Sequence, residues 1–153
     1  MEENQFWEIL QEAEENNALN IDVLVDNLSK RTISEIYSFE EILTDLLFKL
    51  DGPEYAKAVG YSEEDSFSVD SFLYSRVSTV EKGKKFYYSV IENPEQMPAD
   101  TSEDLLYVAK DAYTQKTGKE DWEYSPKRLY ETYFNREAWG KGKELSIKEF
   151  IER

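Results

Sequence analysis

Between Thr32 and Asp51 the chain carries too many apolar residues for a helix with one wet side. Ile36, Phe39, Leu43, Leu46 and Leu50 recur every three or four residues, which is the spacing of a single helical face. Ile33, Ile42, Leu47 and Phe48 widen that stripe until little polar surface is left. Thr32 and Glu35 have the spacing of a capping box at its start. Asp51-Gly52-Pro53 closes it, because glycine accepts a left-handed cap and proline cannot continue the ladder. A helix this apolar must be enclosed by neighbours on several sides, so the remaining segments are expected to pack around it.

Those segments read as helices too. A first helix is expected from about Glu3 to Asn16, with Phe6, Trp7, Ile9, Leu10 and Ala13 on its apolar side and Asn16-Asn17 marking its end. Asn20 caps a second, carrying Ile21, Leu24, Val25 and Leu28. Pro53 starts a short helix that ends by Gly60, and the polar stretch from Ser62 to Ser68 reads as a loop. Ser68 caps a helix with Val69, Phe72, Leu73, Arg76, Val77 and Val80. Gly83 interrupts it, and Lys85 to Ile91 resumes until Asn93-Pro94. Thr101, Ser102 and Asp104 open another, with Leu105, Leu106, Val108, Ala109, Ala112 and Tyr113 inward and Gly118 at its end. Ser125-Pro126 starts a further helix with Leu129, Tyr130, Tyr133 and Phe134 on one side. Trp122 to Tyr124 reads alternatively as extended, and Ser146 with Glu149 caps a last short helix. The fold class is therefore all-α: one multi-helix domain over residues 1–153, of about six to eight helices, with a short C-terminal hairpin as the alternative.

The ordered set Ser71-Phe72-Leu73-Tyr74-Ser75-Arg76, Gly83-Lys84-Lys85-Phe86-Tyr87-Tyr88-Ser89-Val90, Asn93-Pro94, Met97-Pro98, Leu105-Leu106-Tyr107-Val108-Ala109, Ala112-Tyr113, Lys116-Thr117-Gly118, Tyr130-Glu131-Thr132-Tyr133, Asn135 and Trp139 resembles the bacterial family catalogued as domain of unknown function 4240. The opening Phe6-Trp7-Glu8-Ile9-Leu10 is similar to the same family. The likeness is strongest over residues 67–139 and weak over 14–65. It departs at Tyr61-Ser62-Glu63-Glu64-Asp65-Ser66, where many members have a turn rich in glycine and aspartate. The resemblance implies a fold but carries no activity with it.

Composition narrows the chemistry. The 153 residues include no histidine and no cysteine. Zinc-finger, Cys-His and Ser-His-Asp systems and His- or Cys-ligated haem are thereby excluded. No cofactor is expected, and no metal. The 62–70 loop offers oxygen ligands but lacks the central glycine and the terminal glutamate of a calcium loop. No apolar run is long enough to span a bilayer. The acidic start Met1-Glu2-Glu3-Asn4 is unlike a secretory leader, so the expected location is cytoplasmic.

Charge is distributed unevenly. Residues 1–70 hold 18 acids and 4 bases, a balance of −14; residues 71–153 hold 15 acids and 14 bases, a balance of −1. Phosphates would meet net repulsion, so direct nucleic-acid binding is not expected. The lopsided field reads either as a solubilising surface or as an acidic face for a basic protein partner. On the second reading the chain is a non-catalytic protein-binding module of inhibitor or immunity type. Eight of the eleven tyrosines follow residue 70, and Tyr88, Trp122, Tyr124, Tyr130 and Trp139 are the candidate contacts with that partner. Tyr74, Phe86, Tyr107 and Tyr113 are assigned to the core. The alternative is a small-molecule or anion-binding protein, or an enzyme, with its pocket at Arg76, Lys84, Lys85 and Tyr87, where a glycine flanked by amines opens a helix. A third reading, a nucleic-acid mimic, requires carboxylates spaced like phosphates along an elongated face.

Overall fold

A computed structural model describes residues 1–140. The element order is α1 (Glu3–Glu12), β1 (Glu14–Glu15), β2 (Ala18–Leu19), α2 (Ile21–Ser29), α3 (Ile33–Lys49), α4 (Pro53–Lys57), α5 (Val69–Glu81), α6 (Lys84–Glu92) and α7 (Val108–Thr117). The all-α expectation holds. The helix anticipated from Ser146 and Glu149 lies outside the described residues.

Helix α3 is the centre. Its capping box forms as expected: Glu35 N–H donates to Thr32 Oγ1 at 3.1 Å, and Thr32 N–H donates to Glu35 Oε1 at 3.3 Å. Ile36, Phe39, Leu43, Leu46, Leu47 and Leu50 are buried along it. Helices α1, α5 and α7 pack on different sides of α3, and α2 lies against both α1 and α7. This is the several-sided enclosure that its composition demands. Asn20 caps α2 by accepting from Val23 N–H, and Ser68 caps α5 by accepting from Ser71 N–H. Gly83 takes φ +98° between α5 and α6, and Gly118 takes φ +72° at the end of α7. Both values lie in the left-handed region that favours glycine.

Three expectations are corrected. The first helix stops at Glu12, and residues 14–19 form a small antiparallel hairpin with Glu14 opposite Leu19 and Glu15 opposite Ala18. Asn16 and Asn17 lie at φ +54° and +65°, the two positive angles of a type I′ turn, which asparagine tolerates. The hairpin is thus N-terminal; no strand occurs among the described residues after Leu19. Second, α7 begins only at Val108. Residues Asp104–Tyr107 form a 3₁₀ turn, whose tighter winding buries Leu105 and leaves Tyr107 49% exposed instead of in the core.

Third, residues 119–140 contain no helix. They run as an irregular strap: a few tight-turn bonds, such as Phe134 N–H to Glu131 O and Trp139 N–H to Asn135 O, join its own backbone, and other backbone groups bond to side chains from outside it. Arg76 on α5 is fully buried. Its Nη1 donates to Leu47 O at 2.9 Å and Tyr130 O at 2.8 Å, and its Nη2 donates to Thr132 Oγ1 at 3.2 Å. Asp51, equally buried after α3, accepts from Tyr133 N–H, Asn135 N–H and Trp139 Nε1. Buried peptide groups must be satisfied somewhere, and here two buried charges satisfy Tyr130 O and the N–H groups of Tyr133 and Asn135 where no helical ladder does.

Candidate functional site

The residues expected to form an anion pocket do not converge. Arg76 reaches strap and α3 carbonyls, and its guanidinium also lies 4.7 Å from the centre of the Phe72 ring. Burial pulls its pKa down to about 10, with Asp51 and Glu131 pushing back. Tyr87 is buried on α6 and donates to Leu46 O at 2.7 Å; burial pushes its phenol well above the usual range. Lys84 and Lys85 alone remain at the surface. They share a groove with Lys82 and Gly83 on one wall and Asn4, Glu8, Gln11 and Glu14 on the other. Lys82 pairs with Asp100 at 2.8 Å, and Lys84 Nζ donates to Asn4 Oδ1 at 2.9 Å.

The aromatic candidates are half-buried and hold the molecule together. Tyr88 donates to Glu3 Oε2, and burial together with that bond pushes its pKa up to about 12. Trp139 stands edge-on to Tyr61 and Tyr133 and donates to Asp51. Tyr124 stacks on Tyr37 of α3 at 4.7 Å and 12°, donates to Glu41 Oε1 at 2.5 Å and is raised to about 12 by burial and that carboxylate. Trp122 stands edge-on to Tyr37 and to Tyr113 of α7. Tyr130 is raised to about 12, first by burial and then by Glu40. Three of these five, Trp122, Tyr124 and Tyr130, line one cleft.

That cleft, about 220 Å³, opens between α3, α7 and the strap. Glu40 and Thr44 enter it from α3, one turn apart and so on one face. Leu106 and Lys110 come from the 3₁₀ turn and α7; Pro126, Arg128, Leu129 and Glu131 come from the strap. Glu40 is 7% exposed and its carboxyl has no hydrogen bond among the described residues. Burial, reinforced by the neighbouring Glu41, pushes its pKa up to about 7. Thr44 Oγ1 and Glu131 Oε2 are enclosed and unpartnered. The sequence reading passed over Glu40. The available signal was an ionisable residue directly after Phe39 in a helix that has almost no wet side.

The described residues contain no group of three or more acidic side chains placed to hold a metal ion, and no helix long and apolar enough to cross a membrane. The fold defines an all-α domain built round one enclosed helix and closed by an irregular strap. The chain belongs to the family described as Protein of unknown function (DUF4240), which matches residues 1–115. The match takes in α1 to the last turn of α7 and leaves the strap outside. No curated protein and no solved structure matches the chain.

Proposed function

We propose that this chain is a non-catalytic binding module that engages a protein partner with a basic surface. The observation that supports this reading is a run of exposed carboxylates in the leading elements, none of which forms an ion pair among the described residues. Glu2, Glu8, Glu12, Glu14, Glu15 and Asp22 are all exposed, and the first basic residue of the chain is Lys30. None of the six is joined to a lysine or arginine among the described residues; the ion pairs are Lys30–Asp26, Arg31–Glu35 and Lys82–Asp100. Lys82, Lys84 and Lys85 share a groove with Glu8 and Glu14. Glu12, Glu15 and Asp22 do not line that groove and form no ion pair among the described residues. Such a patch steers a basic partner and speeds its approach.

The test compares capture by the wild type and by a variant with Glu12→Lys, Glu15→Lys and Asp22→Lys. A purified basic partner identified by the capture should associate at about 0.05 M salt and be released near 0.5 M, where screening is nearly complete. The triple variant should lose it at both. Capture indifferent to salt, or equal for the two proteins, overturns the reading.

A further inference from the structure

We infer that the cleft between α3, α7 and the strap receives an organic nitrogen cation: an alkylammonium or alkylguanidinium head on a short apolar stem. The cleft does not involve the α1 and hairpin carboxylates, so the inference stands apart from the partner reading. Its lining includes three side chains with oxygens that have no hydrogen bond among the described residues: the Glu40 carboxyl, Thr44 Oγ1 and Glu131 Oε2, the last of them also in the field of Arg76. Thr44 is 1% exposed and Glu40 7%, so neither is an ordinary wet side chain. Enclosed polar atoms without partners are uncommon and call for one. Two of the three groups are carboxyls, which when ionised only accept, so the complement is a group rich in donors and positive.

The walls select among cations. Trp122, Tyr124 and Tyr130 bring aromatic rings, and Leu106, Leu129 and Pro126 bring apolar surface. Aromatic faces attract ammonium and guanidinium groups. A hard metal ion wants six or more oxygens, and the described residues hold no group of three or more acidic side chains placed to supply them. A volume of about 220 Å³ accommodates such a head with a few methylenes.

Lys110 lies at the rim, exposed, with no ion pair to Glu40 or Glu131 among the described residues. Arg128 places its guanidinium 4.4 Å from the centre of the Phe48 ring. The groups facing Glu40 are Glu41 and Thr44 from α3, Lys110 from α7, and Tyr124, Arg128, Tyr130 and Glu131 from the strap. A bound cation favours the ionised form of Glu40, so affinity should rise with pH.

The experiment titrates n-butylammonium and n-butylguanidinium into the full chain and follows backbone and indole resonances by NMR. Tetramethylammonium, which has the charge but no N–H donor, and n-butanol serve as controls. Saturable shifts are expected at Glu40, Thr44, the Trp122 indole and Glu131, with affinity about tenfold or more tighter near pH 8 than near pH 5.5. Glu40→Gln and Thr44→Val keep size and shape. The first should weaken binding about tenfold and flatten the pH dependence; the second should weaken it less. Dispersion of the remaining spectrum verifies that each variant is folded. A blocked tripeptide with central lysine or arginine identifies the source. Binding equal to the free amine assigns the cleft to a partner's side chain, and binding only of the free amine assigns it to a small molecule. No saturable shift with either probe overturns the inference, as does equal binding of tetramethylammonium or unchanged binding by Glu40→Gln. The triple lysine variant of the acidic face should bind both amines normally, so the two proposals fail separately.

Discussion

Glu40 gives this protein a pH dependence that falls between the usual carboxylate range and neutrality. Its carboxyl titrates near 4.5 when the chain is unfolded and near 7 when folded, because burial beside Glu41 disfavours the charge. The folded state therefore holds this proton more tightly. Between those two values the folded protein binds more protons than the unfolded one, so stability falls as pH rises and the loss is complete above about 7. A difference of this size corresponds to about 3 kcal/mol. The chain has no histidine to titrate in the same window. Chemical unfolding of the wild type should lose roughly that amount between pH 5 and pH 8. Glu40→Gln should lose much less over the same range, with Asp45 and Glu81, whose carboxyls burial also raises, supplying the remainder, and should be more stable than the wild type at pH 8. A wild-type curve that stays level would show that the carboxyl is solvated. The rule that Glu is almost never buried unpaired is what hides this residue in the sequence: helical spacing singles out the apolar members of α3, and an acid beside Glu41 carries no pattern that marks it as buried.

At the scale of elements, most boundaries were legible because they are chemical. Thr32 with Glu35, Asn20, Ser68, Gly83, Asn93-Pro94 and Gly118 each start or stop a helix where side-chain capping, a positive φ or a missing N–H dictates. The failures came where two local outcomes share one signature. Asn16-Asn17 ends a helix well, and it equally makes the two-residue turn of a hairpin. The short segments on either side carry no alternation to decide between them. The turn now offers its own test. Asn17 holds φ +65°, which alanine adopts only at a cost of about 1 kcal/mol, while glycine adopts it freely. Asn17→Ala should lower stability by about that amount and Asn17→Gly should leave it level or slightly raised. Equal effects of the two substitutions would mean that the hairpin contributes nothing to the fold.

For the molecule as a whole, the strap was the least legible part, because what shapes it lies far away in the sequence. Leu129, Tyr130, Tyr133 and Phe134 have helical spacing, but Tyr133 sits at φ +80° and its neighbours' backbone groups go to Arg76 and Asp51. Those partners are 54 and 82 residues distant, beyond the reach of any local pattern. The same arrangement makes the strap the part most dependent on single side chains. Arg76 joins it to the end of α3 through Leu47 O, supports Tyr130 O and Thr132 Oγ1, and supplies the positive charge near buried Asp51 and Glu131. Arg76→Met keeps the apolar bulk and removes all of these. Two carbonyls lose their donor and a buried carboxylate loses its countercharge, a class of change that costs about 3–5 kcal/mol. The helices retain their own hydrogen bonds and the contacts around α3, so the loss should be uneven. Hydrogen exchange should accelerate most at the strap amides of Tyr133 and Asn135, and least in α2 and α3. The cleft should go with the strap: Trp122 fluorescence shifts to the red and binding of n-butylammonium disappears, while α-helical circular dichroism is retained. If exchange instead rose uniformly through helices and strap, Arg76 would be a brace for the entire core, and the division of the molecule into a helical body and a fastened strap would be wrong.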